Sequence, residues 1–405
     1  MRLSPTELVE IRRDLHRNPE LSHAEGRTAA AVVRTLTALG IEARAGVAGH
    51  GVIAVVEGDH PGPTLLFRAD MDALPIQEEG DHDYVSENPG VMHACGHDVH
   101  TTIGLGVAAS LVNRRADLRG RVKLVFQPAE EAAPGPGQVI GAEKMVEEGA
   151  LSDPDVDAAF ALHVMPNLDV GQLGYTGGTV WAASDLFDIE ITGRMAHGAY
   201  PQDGADPLLA GAAIVQALQQ VVSRNVDTRS PCVLSVCRFE GGNAYNVIPD
   251  RARLRGLLRT HDDAMRDLAM SRAREIVEST AQAHGCSARL SFVRGTHLTE
   301  NRPGLEDFAG EVISSALPDV GFVLMPAQMG AEDFAAFSRR VPGCYLFLGV
   351  RNEARGIVHQ IHTPRFDVDE ACLAVGVDAM TELLLAACSD WESLSLRIGA
   401  AINPG

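Results

Sequence analysis

Four short stretches, far apart in the chain, hold side chains that could bind metal: His93-Ala94-Cys95-Gly96-His97-Asp98, Pro128-Ala129-Glu130-Glu131, Leu162-His163 and Ile361-His362. Taken singly each has an ordinary explanation: a buried cysteine, a solvated pair of glutamates, a structural histidine. Together they offer a thiolate, three imidazoles and a carboxylate, with a second carboxylate beside it. Thiolate and imidazole suit zinc and other borderline divalent ions better than magnesium or calcium. Adjacent carboxylates at Glu130 and Glu131 can divide the labour, one binding metal and the other taking a proton from activated water. The chemistry is that of a water-activating hydrolase. A thiol hydrolase built on Cys95 and a neighbouring histidine is the cross-class alternative, but it leaves Glu130, Glu131, His163 and His362 without a role.

The elements around these stretches are those of an α/β protein. Short apolar runs of strand length occur at 51–56, 64–67, 122–126 and 158–162, and residues 27–39, 101–113 and 142–148 carry helical spacing. Strands alternating with helices predict a largely buried sheet. Several candidate residues fall just beyond these strands, where α/β proteins place their ligands. Asp70 and Asp72 follow the second run, two apart and so on one side of an extended chain. Glu130 and Glu131 follow the third, with Pro128 ending the strand, and His163 follows the fourth. The loop from His93 to His100 crowds three histidines with Cys95 and Asp98.

Past the glycine-rich stretch at 171–178 the pattern changes. Residues 185–191 alternate polar and apolar, as a sheet with one solvated face requires. A helix from about 207 to 223, strands at 232–239 and 251–258, a helix from about 262 to 284 and a strand at 288–293 complete a strand-helix-strand-strand-helix-strand order of ferredoxin-like type. The α/β pattern resumes after Thr296. The expectation is a discontinuous catalytic domain, 1–182 and 296–405, interrupted by an α+β domain at 183–295. That insert has its own polar cluster, Gly193 to Pro201 with His197, and Asn243 to Pro249 with Asn246.

A chain of 405 residues exceeds what a single core supports, in line with two domains. Its 54 acidic against 34 basic side chains give a net charge of −20, which argues against nucleic acid or an anionic membrane as partner. Ser4, Pro5 and Glu7 open a capped amphipathic helix where a signal peptide would show an apolar run. No stretch of 18 uninterrupted apolar residues predicts a membrane span. Seven cysteines at irregular spacing suit a reducing compartment; the expectation is cytoplasmic.

Seven motifs, in order and over nearly the whole length, resemble the M20 metallopeptidase family, in particular its amidohydrolase branch of aminoacylases, hippurate hydrolases and indole-acetyl-amino-acid hydrolases. They are Arg68-Ala-Asp-Met-Asp-Ala-Leu-Pro75, Met92-His-Ala-Cys-Gly-His-Asp98, Phe126-Gln-Pro-Ala-Glu-Glu131, Ala196-His-Gly-Ala199, Asn246-Val-Ile-Pro249, Gly330-Ala-Glu-Asp-Phe334 and His362 to Glu370. The resemblance implies a split zinc-peptidase-like domain with an inserted dimerisation or lid domain. It implies two divalent ions (Mn, Zn, Co or Ni) held by Cys95, His97, Glu131, His163 and His362, with Cys95 bridging. Glu130 would be the general base, and Asp72 the acidic residue that orients a ligand. Asp70 stands where other branches carry a metal-binding histidine. His197 would polarise the scissile carbonyl, in its own subunit or across a homodimer, with Asn246 contacting substrate and Arg259 holding its carboxylate. The implied reaction is hydrolysis of an N-acyl or N-aroyl amino acid to a carboxylic acid and a free amino acid; a dipeptidase of the same superfamily is the near alternative. A catalytically dead relative would lack a ligand or the base, and none is missing. Two departures stand out: Ala331 where serine is frequent, and Gln202-Asp203-Gly204 where a histidine often precedes the glycine. Aromatic content of 5% argues against a densely aromatic substrate cage.

Overall fold

The structure is a computed structural model that describes residues 3–132 and 139–400. The first helix forms where its cap predicts: Ser4 accepts the Glu7 N–H, and the Glu7 carboxylate takes the Ser4 N–H in return. The first segment runs α1 (Pro5–Arg17), α2 (Gly26–Ala38), β1 (Ala43–Val47), β2 (Gly51–Glu57), β3 (His60–Asp70), α3 (His97–Asn113), β4 (Arg119–Gln127), α4 (Gly141–Glu147), β5 (Ala158–Asp169), β6 (Gln172–Tyr175) and β7 (Thr179–Trp181). The middle segment is β8 (Ala183–Thr192), β9 (Ala196–His197), α5 (Pro207–Gln220), β10 (Cys232–Gly241), β11 (Val247–Ile248), β12 (Arg251–Thr260), α6 (Asp263–Ala283) and β13 (Ser287–Arg294). The chain closes with β14 (Thr299–Glu300), α7 (Leu305–Ala316), β15 (Gly321–Leu324), α8 (Ala335–Ser338), β16 (Gly343–Arg351), α9 (Cys372–Ser389) and α10 (Trp391–Ala400).

Strands from the first and last segments share one sheet, ordered β1-β2-β4-β3-β5-β16-β6-β15. At its centre β4, β3, β5 and β16 run parallel. These strands read as apolar runs because helices cover both faces. Along β3, Leu65 and Phe67 enter the core that includes Ile103 and Leu105 of α3, while Leu66 enters the core of Phe334 and Phe337. Helix α3 is buried on every side, between the sheet and α1, α2 and α9. Among the described residues α9 is the one helix long and apolar enough to cross a membrane. Its Val377, Met380, Leu383 and Leu384 are spent instead on the core beneath α3.

The middle segment forms a second sheet, β10-β12-β8-β13, antiparallel throughout. Phe187, Ile189 and Ile191 of β8 face α5 and α6 and leave Leu186, Asp188 and Glu190 on the other side, the alternation read from the sequence. The fold is thus a split α/β domain with an α+β insertion. Three local expectations need correction. Helix α3 begins at His97, four residues early, so His97 and His100 stand in its first turn and not in a loop. His163 lies inside β5, which continues to Asp169. The glycine-rich stretch contains β6, which the sheet recruits because β15 and β16 both pair with it.

Candidate active site

The ligand candidates converge at the carboxyl ends of the parallel strands. Gly96 adopts a left-handed conformation before α3, and a side chain there would collide with Val164, so glycine sets the turn that aims Cys95 and His97 inward. Ala129 and His362 also have positive φ, an uncommon conformation for residues with a side chain and one that clusters at functional sites. The Ala129 turn sends Glu130 and Glu131 into the cleft. The His362 turn is tied to the cysteine loop by its N–H bond to the Ala94 carbonyl, 2.7 Å.

Cys95 Sγ lies 3.4 Å from His163 Nε2 and 3.3 Å from His362 Nε2. His362 Nε2 is 3.1 Å from Glu131 Oε1, and His97 Nε2 is 4.0 Å from the same oxygen. Cys95–His97–His163, Cys95–Glu131–His362 and His97–Glu130–Glu131 each bring one donor atom per residue within 4.8 Å of the others. The five expected ligands and Glu130 therefore form one cluster.

The surrounding hydrogen bonds set the tautomers. His97 Nδ1–H donates to Asp72 Oδ1 (3.2 Å), and His163 Nδ1–H donates to the Val164 carbonyl (2.7 Å). In the neutral rings both Nε2 atoms would present a lone pair toward Cys95 and Glu131, and His97 Nε2 is buried without a hydrogen-bond partner among the described residues. An orphaned imidazole nitrogen beside a thiol, a second imidazole and a carboxylate fits divalent metal ions. Asp72 also accepts the Ser22 hydroxyl (2.6 Å) and the Glu131 N–H (2.9 Å). It thereby fixes a histidine and a glutamate of the cluster at once.

Burial disfavours a charged His97, but Asp70 and the bond to Asp72 outweigh it and carry its pKa up to about 10. Burial, reinforced by Glu131, Glu130 and Asp70, holds the Cys95 thiol well above its ordinary range. An isolated thiolate nucleophile is therefore disfavoured; a cation in the cluster is what ionises such a thiol. Burial with Glu332 and Glu131 likewise raises Glu130 well above the usual carboxylate range, the direction a proton acceptor and donor near neutral pH requires.

Behind the cluster lies a layer the motifs alone did not assign. Arg68 is fully buried and binds Asp70 (2.6 Å), Glu332 (2.8 Å) and Asp333 (3.0 Å). Asp70 Oδ1 accepts from His100 Nδ1–H at 2.5 Å, while His100 Nε2 accepts the Val164 N–H. Asp70 is thus engaged by Arg68 and His100, with His97 Nε2 at 3.7 Å. Glu25, buried between α1 and α2, accepts the Ala129 N–H at 2.8 Å and so clamps the turn before Glu130.

A cleft of about 490 Å³ opens over the cluster. Cys95, Glu130, His163 and His362 line one side, and Leu186, Val293 and Arg259 of the insertion line the other. Arg259 Nη1 is buried with no hydrogen-bond partner among the described residues. Burial pulls the guanidinium below its ordinary range, against the field of Asp185. His197 and Asn246 are elsewhere: β9 and β11 pair into an exposed ribbon in which Gly198 N–H bonds the Asn246 carbonyl. Neither lines the cleft within this chain.

A split α/β domain with an α+β insertion over a cysteine-, histidine- and glutamate-rich cleft defines a class of metal-dependent hydrolases. The sequence profile of Peptidase family M20/M25/M40 matches residues 66–386, and the chain belongs to that family. It is 36% identical to "Thermostable carboxypeptidase 2" of Saccharolobus solfataricus over 94% of each chain. It is 37% identical to "N-acetyl-L-cysteine deacetylase" of Bacillus subtilis, over 91% of this chain and 85% of that one. The crystal structure of Bacillus subtilis YXEP, described as a dinuclear metal binding peptidase of the M20 family, superposes with a TM-score of 0.82 at 33% identity, covering 95% of this chain and 98% of that one. The protein is a metal-dependent hydrolase.

Proposed function

We propose that this hydrolase cleaves N-acyl or N-aroyl amino acids to a carboxylic acid and a free amino acid, using two divalent ions held by Cys95, His97, Glu131, His163 and His362. The observation that carries the reading is one cleft lined by Cys95, Glu131, His163, His362, Glu130 and Arg259, whose buried Nη1 has no hydrogen-bond partner among the described residues. A substrate carboxylate bound to Arg259 fixes the amino acid end and directs the amide toward Glu130. When bound, the ions supply Lewis acidity that acidifies water and polarises the carbonyl. Glu130 takes the proton from the attacking water and returns it to the leaving nitrogen. Asp72 keeps Nδ1 of His97 protonated so that Nε2 remains a ligand. The ion identity falls within manganese, zinc, cobalt and nickel, and the unpaired cysteines suit a reducing, cytoplasmic setting.

We assign residues 1–182 and 296–405 to the catalytic domain and 183–295 to a lid that also dimerises. The exposure of His197 and Asn246 supports their delivery to the cleft of a second copy, where His197 stabilises the developing oxyanion and Asn246 contacts substrate. Mixing Glu130→Gln and His197→Ala chains should restore about a quarter of wild-type activity if the histidine acts across a dimer, and none if it acts within its own chain. The deacetylase relative supports the N-acyl reading, and the carboxypeptidase relative keeps a peptide substrate in view. The deciding experiment strips metal with EDTA, reconstitutes with each ion, and assays N-acetyl, N-benzoyl and long-chain N-acyl amino acids against dipeptides. Metal-restored turnover of N-acyl amino acids supports the proposal; turnover of dipeptides alone, or activity indifferent to EDTA, rejects it.

A further inference from the structure

Beside Asp98 in the first turn of α3, and outside the residues that line the cleft, a second group of ligand-type side chains converges. His16 lies in the last turn of α1, and Glu78 and His82 lie in the irregular segment that follows β3. His16 and Glu78 have fully buried side chains; that of His82 is 16% exposed. His16 Nδ1 is held by Asp98 Oδ2 at 2.8 Å, which leaves Nε2 3.2 Å from Glu78 Oε1. His82 Nε2 is 3.0 Å from that same oxygen. Among the described residues both His82 ring nitrogens are nevertheless buried without a hydrogen-bond partner, so the approach lacks hydrogen-bond alignment. The other Glu78 oxygen accepts the Ser86 N–H at 2.7 Å, and Tyr84 stacks on the His82 ring at 3.9 Å. Carboxylate and imidazole are thereby fixed in place.

The three donor atoms lie within 4.8 Å of one another. Separations of 3.0 and 3.2 Å suit ligands about 2.0–2.1 Å from a shared tetrahedral ion. A Cβ on Gly80 would stand 2.8 Å from His82 Nε2 and 3.2 Å from Glu78 Oε1; glycine keeps that space open. The carboxylate–His16–ligand order is the arrangement that orients metal-binding imidazoles. Charge points the same way. Arg12 pairs with Asp98, Asp367 and Glu370, Arg13 with Glu370 and Asp83, and Glu78 lies against His16 and His82, so with neutral imidazoles these carboxylates outnumber the two guanidinium groups, a surplus a divalent cation reduces. A protonated His16 bridging Asp98 and Glu78 accounts for two of these contacts. It does not account for a second imidazole brought unaligned to the same oxygen.

We propose that His16 Nε2, Glu78 Oε1 and His82 Nε2 bind a further divalent cation of zinc-like preference, apart from the catalytic cluster. The ion pins the segment after β3 to α1. The test uses the full chain loaded with zinc alone. Diffraction at the zinc edge should give an anomalous peak about 2.0–2.1 Å from the three atoms, and wild type should carry one zinc per chain more than His82→Gln by elemental analysis. The wild-type map decides the matter even if the variant fails to fold, and Gly80→Ala, which crowds the same space, should also lose one equivalent. No peak at this position, or equal zinc in wild type and a folded His82→Gln, overturns the proposal.

Discussion

Replacing Asp72 by Asn exchanges one oxygen for an NH2 group at a buried carboxylate with three donors around it: Ser22 Oγ–H and Glu131 N–H on Oδ2, and His97 Nδ1–H on Oδ1. The amide keeps most bonds if its oxygen takes the Oδ2 position. Its NH2 group then faces His97 Nδ1, which must accept and so moves the ring proton to Nε2, the atom aimed at Glu131. Metal binding now requires the amide to turn over, leaving the Glu131 N–H against an NH2 group. An unsatisfied buried donor costs about 1–3 kcal/mol. At about 1.4 kcal/mol per tenfold, that predicts metal binding weaker by roughly 10- to 100-fold, the usual size of such effects behind metal ligands. Chelator competition on wild type and Asp72→Asn measures it directly, with denaturation of the metal-free forms as a control for folding. Equal affinity within about twofold would refute the tautomer argument.

Arg259→Met should cut kcat/KM for substrates with a free carboxylate by about 10- to 100-fold, the scale of a charged hydrogen bond, and should barely affect the carboxamide analogue; parallel kinetics on the two substrates check it. Glu25→Ala leaves the Ala129 N–H unpaired at the turn before Glu130, so kcat should fall about 10-fold with KM little changed, and Glu25→Gln, which retains an acceptor, should recover most of it. Burial, with Asp98 opposing, lowers His93 from 6.5 to about 4. The unfolded chain therefore binds this proton first as pH falls: the contribution is full above pH 6.5 and declines by about 3 kcal/mol toward pH 4. Denaturation of wild type and His93→Phe at pH 7 and pH 4.5 should show the smaller pH dependence in the variant; identical slopes exclude the assignment.

The parts legible in the sequence were those whose signal is local. Pro128 after an apolar run and the adjacent Glu130 and Glu131 marked a strand end with polar residues beyond it, and the crowding around Cys95 marked a polar cluster. The alternation of β8 and the element order of the insertion came through for the same reason, since a sheet with one covered face writes its period into consecutive residues. Long-range partners left no such trace. Glu25 meets Ala129 across 104 residues, and Arg68 meets Glu332 across 264, with nothing in either local stretch to announce the pairing. Arg259 shares its strand face with Arg253 and Arg255, which both bind Asp188; only three-dimensional placement separates the guanidinium with a partner from the one without. The α3 boundary was missed because Gly96, which starts the helix, reads from sequence as a loop residue.

The central claim is that Glu130 moves the proton while its neighbour Glu131 holds metal. Glu130→Gln, assayed for bound metal and for turnover of its best N-acyl amino acid substrate, tests this most directly. The account predicts that both equivalents of metal in the catalytic cluster are retained, with the same metal content as wild type, while kcat falls by at least about 10²-fold. Retained turnover in the metal-loaded variant, or loss of metal in step with loss of activity, would contradict it.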